Sequence, residues 1–109
     1  MRIGFDAKRI FHNASGLGNY GRDLVRILSD FYVDNGYFLY NPKQKKITRL
    51  QIKNNIVEVL PSIKFWKLFS SIWRQGPIVS QLENDGIQIF HGLSGEIPQG
   101  IQNTTIKSV

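Results

Sequence analysis

Gly16-Leu17-Gly18-Asn19-Tyr20-Gly21 is the stretch of this 109-residue chain whose residue types and spacing best suit chemistry. A glycine-rich turn feeding a helix N-terminus brings backbone N–H groups against an anionic ligand. The spacing fits G-x-G-x-x-G, but two features argue against a dinucleotide site. In such sites the first glycine follows the strand almost at once, whereas here Asp6 to Ser15 separate Gly16 from the strand candidate Arg2-Ile3-Gly4-Phe5. The acid that grips a ribose 2′-OH is also missing, because the second strand candidate, Tyr37 to Tyr40, ends on Asn41-Pro42. A second cluster, His91, Gly92, Ser94, Gly95 and Glu96, follows the strand candidate Ile87 to Phe90. Open α/β sheets bind ligands at that carboxyl end; the plain alternative is a histidine that bonds nearby carbonyls and closes a loop.

Positioning these residues falls to alternating strands and helices. Tyr20, Leu24, Ile27, Leu28 and Phe31 recur at helical spacing, with Arg22, Asp23, Arg26, Ser29 and Asp30 opposite. Ser15 and Asn19 are both able to cap that helix. Further strands read at Tyr37–Tyr40, Ile56–Leu60, Ile87–Phe90 and Thr104–Val109, and Asp6–Ser15 reads as a loop that Asp6 holds through backbone hydrogen bonds. Phe65 to Trp73 form a helix with a wide apolar face, in which Trp66 and Trp73 are core residues rather than sugar platforms. Pro77 opens another helix through Leu82. Gly21, inside the helical pattern, suits a close helix–sheet contact. The alternation argues for parallel βαβ units and an open sheet with helices on both faces.

Composition narrows the classes. Hydrophobic residues make up 41% and aromatics 12%, enough for a core. A mean hydropathy of -0.22 and the lack of a long apolar run argue against a membrane span. The chain begins on strand-like sequence, leaving no room for a signal peptide. With no cysteine, disulfides, thiolate zinc sites and cysteine nucleophiles are excluded. His12 and His91 offer no close-set ligand spacing, so no metal is expected. The net charge of +6 is concentrated in Lys43, Lys45, Lys46, Arg49 and Lys53. That run reads as a solvated loop, and its functional alternative is an anionic membrane surface. No RNP-type strand pair or helix-turn-helix accompanies it, which argues against nucleic acid.

Met1-Arg2-Ile3-Gly4-Phe5-Asp6-Ala7 with Ser15-Gly16-Leu17-Gly18-Asn19-Tyr20 resembles the start of family 4 glycosyltransferases of the GT-B fold. Trp73-Arg74-Gln75 resembles a W-R-Q stretch of many bacterial members, and Asp85-Gly86-Ile87-Gln88-Ile89-Phe90-His91-Gly92 resembles their D-x-[ID]-[IV]-[FV]-H-x strand end. The resemblance covers nearly the whole chain in order. It implies a Rossmann-like, mostly parallel open sheet with flanking helices: residues 1–109 as an incomplete N-terminal GT-B domain.

The implied reaction moves a sugar from a nucleotide-sugar donor to a glycan or lipid-linked acceptor, without a cofactor or metal. Gly16 and Gly18 would meet the donor phosphate, and His91, Gly92, Ser94 and Glu96 would line the acceptor pocket. No catalytic residue is assigned, because the final strand stops before any T-x-H-D histidine, and the donor-holding domain is absent. The fragment is expected to be inactive alone, to self-associate through incompletely covered sheet near Thr104–Val109, and to belong to the cytoplasm or its membrane face. A noncatalytic anion-binding module and a nicotinamide enzyme are the alternatives, the latter disfavoured by Asn41 and the long loop. A continuation into T-x-H-D and a second domain with E-x₇-E would separate them.

Overall fold

The alternating apolar residues of the first strand go to opposite sides of a sheet, and both sides are covered. The computed structural model describes residues 1–43, 50–61, 70–93 and 95–109, with 70 and 71 as backbone only. Five strands, β1 (Arg2–Asp6), β2 (Gly36–Tyr40), β3 (Ile56–Val59), β4 (Ile89–His91) and β5 (Lys107–Ser108), form one all-parallel sheet in the order β3-β2-β1-β4-β5. The described helices are α1 (Lys8–His12), α2 (Gly16–Phe31), α3 (Ser70–Gln75) and α4 (Ile78–Asn84), with a 3-10 turn at Ile101–Asn103. Among the described residues no helix is long and apolar enough to cross a membrane.

A parallel sheet buries both faces, and two clusters do so here. Phe5, Ala7, Tyr37, Leu39 and Ile56 meet Ile10 and Phe11 of α1 and Val25 of α2. On the other face Tyr40 and Phe90 meet Trp73 of α3, Ile78 and Leu82 of α4, and Ile87, Ile101 and Ile106. Trp73 is thus core, as its spacing suggests; Phe65, Trp66, Leu68 and Phe69 lie outside the described residues.

Several elements differ from their sequence expectation. The segment Asp6–Ser15 is not all loop: Lys8–His12 is helical, because Ile10 and Phe11 gain a buried site on the sheet. Helix α2 is rotated about its axis. Gly18, Gly21, Arg22, Val25 and Ser29 face inward and Leu24 and Leu28 are half-buried, while Tyr20, Ile27 and Phe31 are exposed. Two glycines let α2 approach α1 and its trailing turn closely, and Arg22 donates to the carbonyls of Ile10 (2.8 Å) and Asn13 (2.7 Å). Those carbonyls at the end of α1 have no helical partner of their own. The guanidinium therefore takes an inward position that periodicity gives to an apolar side chain. Gly21 packs on Ile10 and Leu93 rather than on the sheet itself.

The last strand is also shorter than Thr104–Val109. Thr104 Oγ1 donates to Ile101 O (2.6 Å) and accepts from Ile106 N (3.1 Å), so a side-chain-bonded turn displaces the ladder up to Lys107. At the end of α4, Gly86 has φ +71°, and its N–H donates to Glu83 O while Ile87 N–H donates to Leu82 O. This is a Schellman closure, with Leu82 and Ile87 in the same apolar cluster. It delays the β4 ladder to Ile89.

Candidate functional site

β1 lies between β2 and β4, so the chain leaves its carboxyl end in one direction and the β4 connection leaves in the other. Divergence of this kind opens a crevice at the strand ends. Asp6 ends β1 and His91 ends β4, with Phe5 and His91 in register.

The centre of this edge is an ion pair. Arg74, from the last turn of α3, donates from Nη2 to Asp6 Oδ2 at 2.6 Å and from Nε to Asp6 Oδ1 at 3.3 Å. Both side chains are almost fully buried, at 8% and 7% exposure. Asp6 Oδ1 also accepts the Lys8 N–H (3.1 Å), which holds the start of α1 as expected of that carboxylate. Glu96 Oε2 lies 3.8 Å from Arg74 Nη2, while the rest of its side chain faces solvent. A forked guanidinium matched to two carboxylates fixes direction as well as charge. The flanking residues of the Trp73-Arg74-Gln75 stretch hold it in place: Trp73 is anchored in the core, and Gln75 O accepts from Gln99 N (2.6 Å).

On the β2 side His12 Nε2 donates to Asn41 Oδ1 (2.7 Å), and Asn41 Nδ2 donates to Glu58 Oε2 (2.8 Å). The buried Asn41 also accepts the Lys43 N–H (3.1 Å). The position lacking a ribose-binding acid therefore holds an amide that ties α1, β2 and β3 together. Neither network is visible in local spacing; Asp6 and Arg74 are separated by 68 residues. The W-R-Q stretch was the only available signal.

The two predicted site segments lie side by side. A Cβ on Gly21 would stand 3.4 Å from Leu93, placing the second turn of α2 against the loop after β4. Within α2, Gly16 is exposed with open space around it, whereas Gly18 is buried. A Cβ on Gly18 would fall on the Asn13 carbonyl oxygen and stand 2.8 Å from Arg9 O. Gly18 has no positive φ, so close backbone approach is what requires glycine. Its N–H and that of Ser15 donate to Asn13 Oδ1 (3.3 and 2.8 Å). Asn13 therefore caps α2, in place of Ser15 or Asn19, whose side chains do not cap it.

His91 stacks on Phe5, ring centroids 5.8 Å apart at 20°. Its Nδ1 is buried and has no hydrogen-bond partner among the described residues. Burial holds the imidazole below its ordinary pKa, so it stays neutral near pH 7. Gly92 N–H donates to Val109 O (3.0 Å), and a Cβ there would collide with the Glu96 carbonyl and stand 2.9 Å from Ile97 Cδ1. The turn bringing Glu96 back toward Arg74 thus needs glycine. Ser94 lies outside the described residues. Among the described residues no group of three or more His, Asp or Glu side chains converges as a metal site.

A separate cleft of about 590 Å³ runs along the far flank of α2, where Asn19, Arg22, Asp23, Arg26 and Ser29 face Leu50, Gln51 and Lys53. Its cations are engaged: Arg26 with Asp23 (3.4 Å), Lys53 with Asp30, and Arg22 with the α1 carbonyls. Lys45, Lys46 and Arg49 of the basic run lie outside the described residues.

The lowered His91 pKa has a definite sign in stability. Below about pH 6.5, the ordinary histidine value, the unfolded chain binds the proton more readily than the folded one. This contribution to stability is complete above that pH and is lost as pH falls toward the folded value. His91→Gln removes it. Denaturant melts at about pH 7.5 and about pH 5.5 should show a smaller acid loss in the variant than in the wild type. Equal losses would mean that His91 is solvated in the fold.

Compared with protein-family models, with curated proteins and with solved structures, the chain matches none.

Proposed function

We propose that this chain is the acceptor-side, Rossmann-like N-terminal part of a GT-B glycosyltransferase, moving a sugar from a nucleotide-sugar donor to a glycan or lipid-linked acceptor. The observation that carries this reading is the meeting of the second turn of α2, at Gly21, with Leu93 after β4, beside the strand ends of β1 and β4. Strand order β3-β2-β1-β4-β5 is the order of a nucleotide-type α/β half with its reversal at β1. The order of the three resembling motifs along the chain adds to it.

Within this reading the exposed Gly16 N–H, at the positive end of a 16-residue helix, faces the donor diphosphate. Glu96, with one oxygen near Arg74 and the rest of the group in solvent, accepts from an acceptor hydroxyl. The neutral His91 suits an uncharged, hydroxyl-rich ligand better than a phosphate. Catalysis would come from positioning the acceptor hydroxyl and from electrostatic stabilisation of the leaving nucleotide diphosphate. The donor-holding domain of such enzymes is not among these 109 residues, and the site would operate in the cytoplasm.

The purified chain should therefore transfer no sugar from any nucleotide sugar, yet bind an oligosaccharide acceptor weakly at the crevice. NMR titration with a panel of oligosaccharides should shift the amides of His91, Gly92 and Glu96, and Glu96→Gln should reduce the shifts. Turnover by the isolated chain, or sugar-induced shifts confined to the far flank of α2, would sink the proposal. Binding to anionic vesicles that falls steeply with salt and is lost on neutralising Lys43 and Lys53 would instead favour the noncatalytic reading.

A further inference from the structure

We infer that the outer face of α2 is a self-association surface that takes the same face of a second copy of this chain, packed antiparallel about a two-fold axis near Leu24. The inference is independent of the transferase reading. Leu17, Tyr20, Leu24, Ile27 and Phe31 follow one another at spacings of 3, 4, 3 and 4 residues, the a/d pattern of a helix–helix seam. Leu24 is half-buried against its own core, whereas Leu17, Tyr20, Ile27 and Phe31 are 56%, 58%, 43% and 76% exposed.

The area suits a small dimer seam. Tyr20 and Phe31 together leave about 270 Å² uncovered, given the 150–250 Å² that a large aromatic carries, and Leu17 and Ile27 extend the patch to about 400 Å². That lies within the range of the largest apolar patch on a monomer, a patch that is often functional. An interface is roughly 60% apolar, so with its polar rim this seam reaches about 650 Å² per partner, near the lower end of the standard size.

The seam is also self-complementary. Reversing it about Leu24 sets Leu17 opposite the partner's Phe31 and Tyr20 opposite the partner's Ile27, each larger side chain against a smaller one. Charge does not oppose the approach: α2 carries Arg22, Arg26, Asp23 and Asp30, a sum of zero, although the chain as a whole is +6. Asp23 and Asp30, three or four residues from Tyr20 and Ile27, form one margin of the seam. Each is paired with a cation, Arg26 and Lys53, so this margin offers an anionic lipid surface no net positive charge, unlike the Lys- and Arg-rich face of a lipid-binding helix. The edge strand is a poorer route to association, because β5 has only two ladder residues and one is Lys107.

Sedimentation equilibrium of the 109-residue chain, from low micromolar to near-millimolar concentration, tests this. A reversible monomer–dimer equilibrium is expected, weakened at least about thirtyfold by Ile27→Glu or Phe31→Glu, the effect of a hot-spot residue. Both positions are exposed, so circular dichroism and melting should show that the variants fold. Val57→Glu, on exposed β3 surface away from α2, should leave the dimer intact. A strictly monomeric wild type, including one that binds vesicles through this helix, overturns the inference. So does a dimer that persists in both α2 variants, or one that Val57→Glu dissociates equally.

Discussion

Arg74→Met should destabilise the fold by about 3–5 kcal/mol, the cost of leaving one member of a buried ion pair without its partner. The Asp6 carboxylate is 7% exposed, and apart from Arg74 the Lys8 N–H is its only other bonded donor among the described residues. Methionine fills part of the volume but supplies no positive charge, so the carboxylate must take up a proton or draw in water. Asp6→Ala should cost a similar amount for the reciprocal reason. The double variant should cost clearly less than the sum, because it removes both charges and with them the desolvation cost. Urea unfolding of the four species measures the coupling. Singles that each lose less than about 1 kcal/mol would mean that solvent already screens the pair. Because Arg74 joins Asp6 to Glu96, Arg74→Met should also release the Gly92–Glu96 turn, visible as faster amide exchange there than at β2.

Gly18→Val should cost about 3 kcal/mol or more, at or above the upper end of ordinary overpacking. The obstruction is backbone, not a pliant side chain: the new Cβ meets the Asn13 carbonyl, with Arg9 O next to it. Relief would require α2 to lift from α1, breaking the Arg22 bonds to Ile10 and Asn13 and the Asn13 cap on Gly18. Gly16→Ala supplies the contrast. Nothing stands within 4 Å of its Cβ position, so stability should stay within about 1 kcal/mol and rise slightly if the unfolded chain loses freedom. A Gly18→Val protein that melts like the wild type would show that the turn at Asn13 yields without cost. The two glycines that look equivalent in G-x-G-x-x-G are therefore separable: Gly18 serves packing, and Gly16 alone leaves an open approach for a ligand.

By itself the sequence determined the class of the fold and the positions of most elements. Alternating apolar strands, a 16-residue amphipathic helix, Asp-Gly at a helix end and Pro after Gly76 are local signals, and each acts within a few residues of where it is read. It also placed His91 and Gly92 at a strand end and kept Trp73 in the core. Tertiary structure alone decided the orientation of α2, the helicity of Lys8–His12 and the make-up of the crevice. Their causes join distant residues: Arg22 turns inward to satisfy the carbonyls that end α1, Gly18 lets two backbones meet, and Arg74 reaches Asp6 across 68 residues. Periodicity weighs hydrophobicity along one helix, and it cannot register that a buried carbonyl elsewhere needs a donor. Arg22, with Gly18, Gly21 and Val25, takes the inward side of α2, and Tyr20, Ile27 and Phe31 lie on the surface.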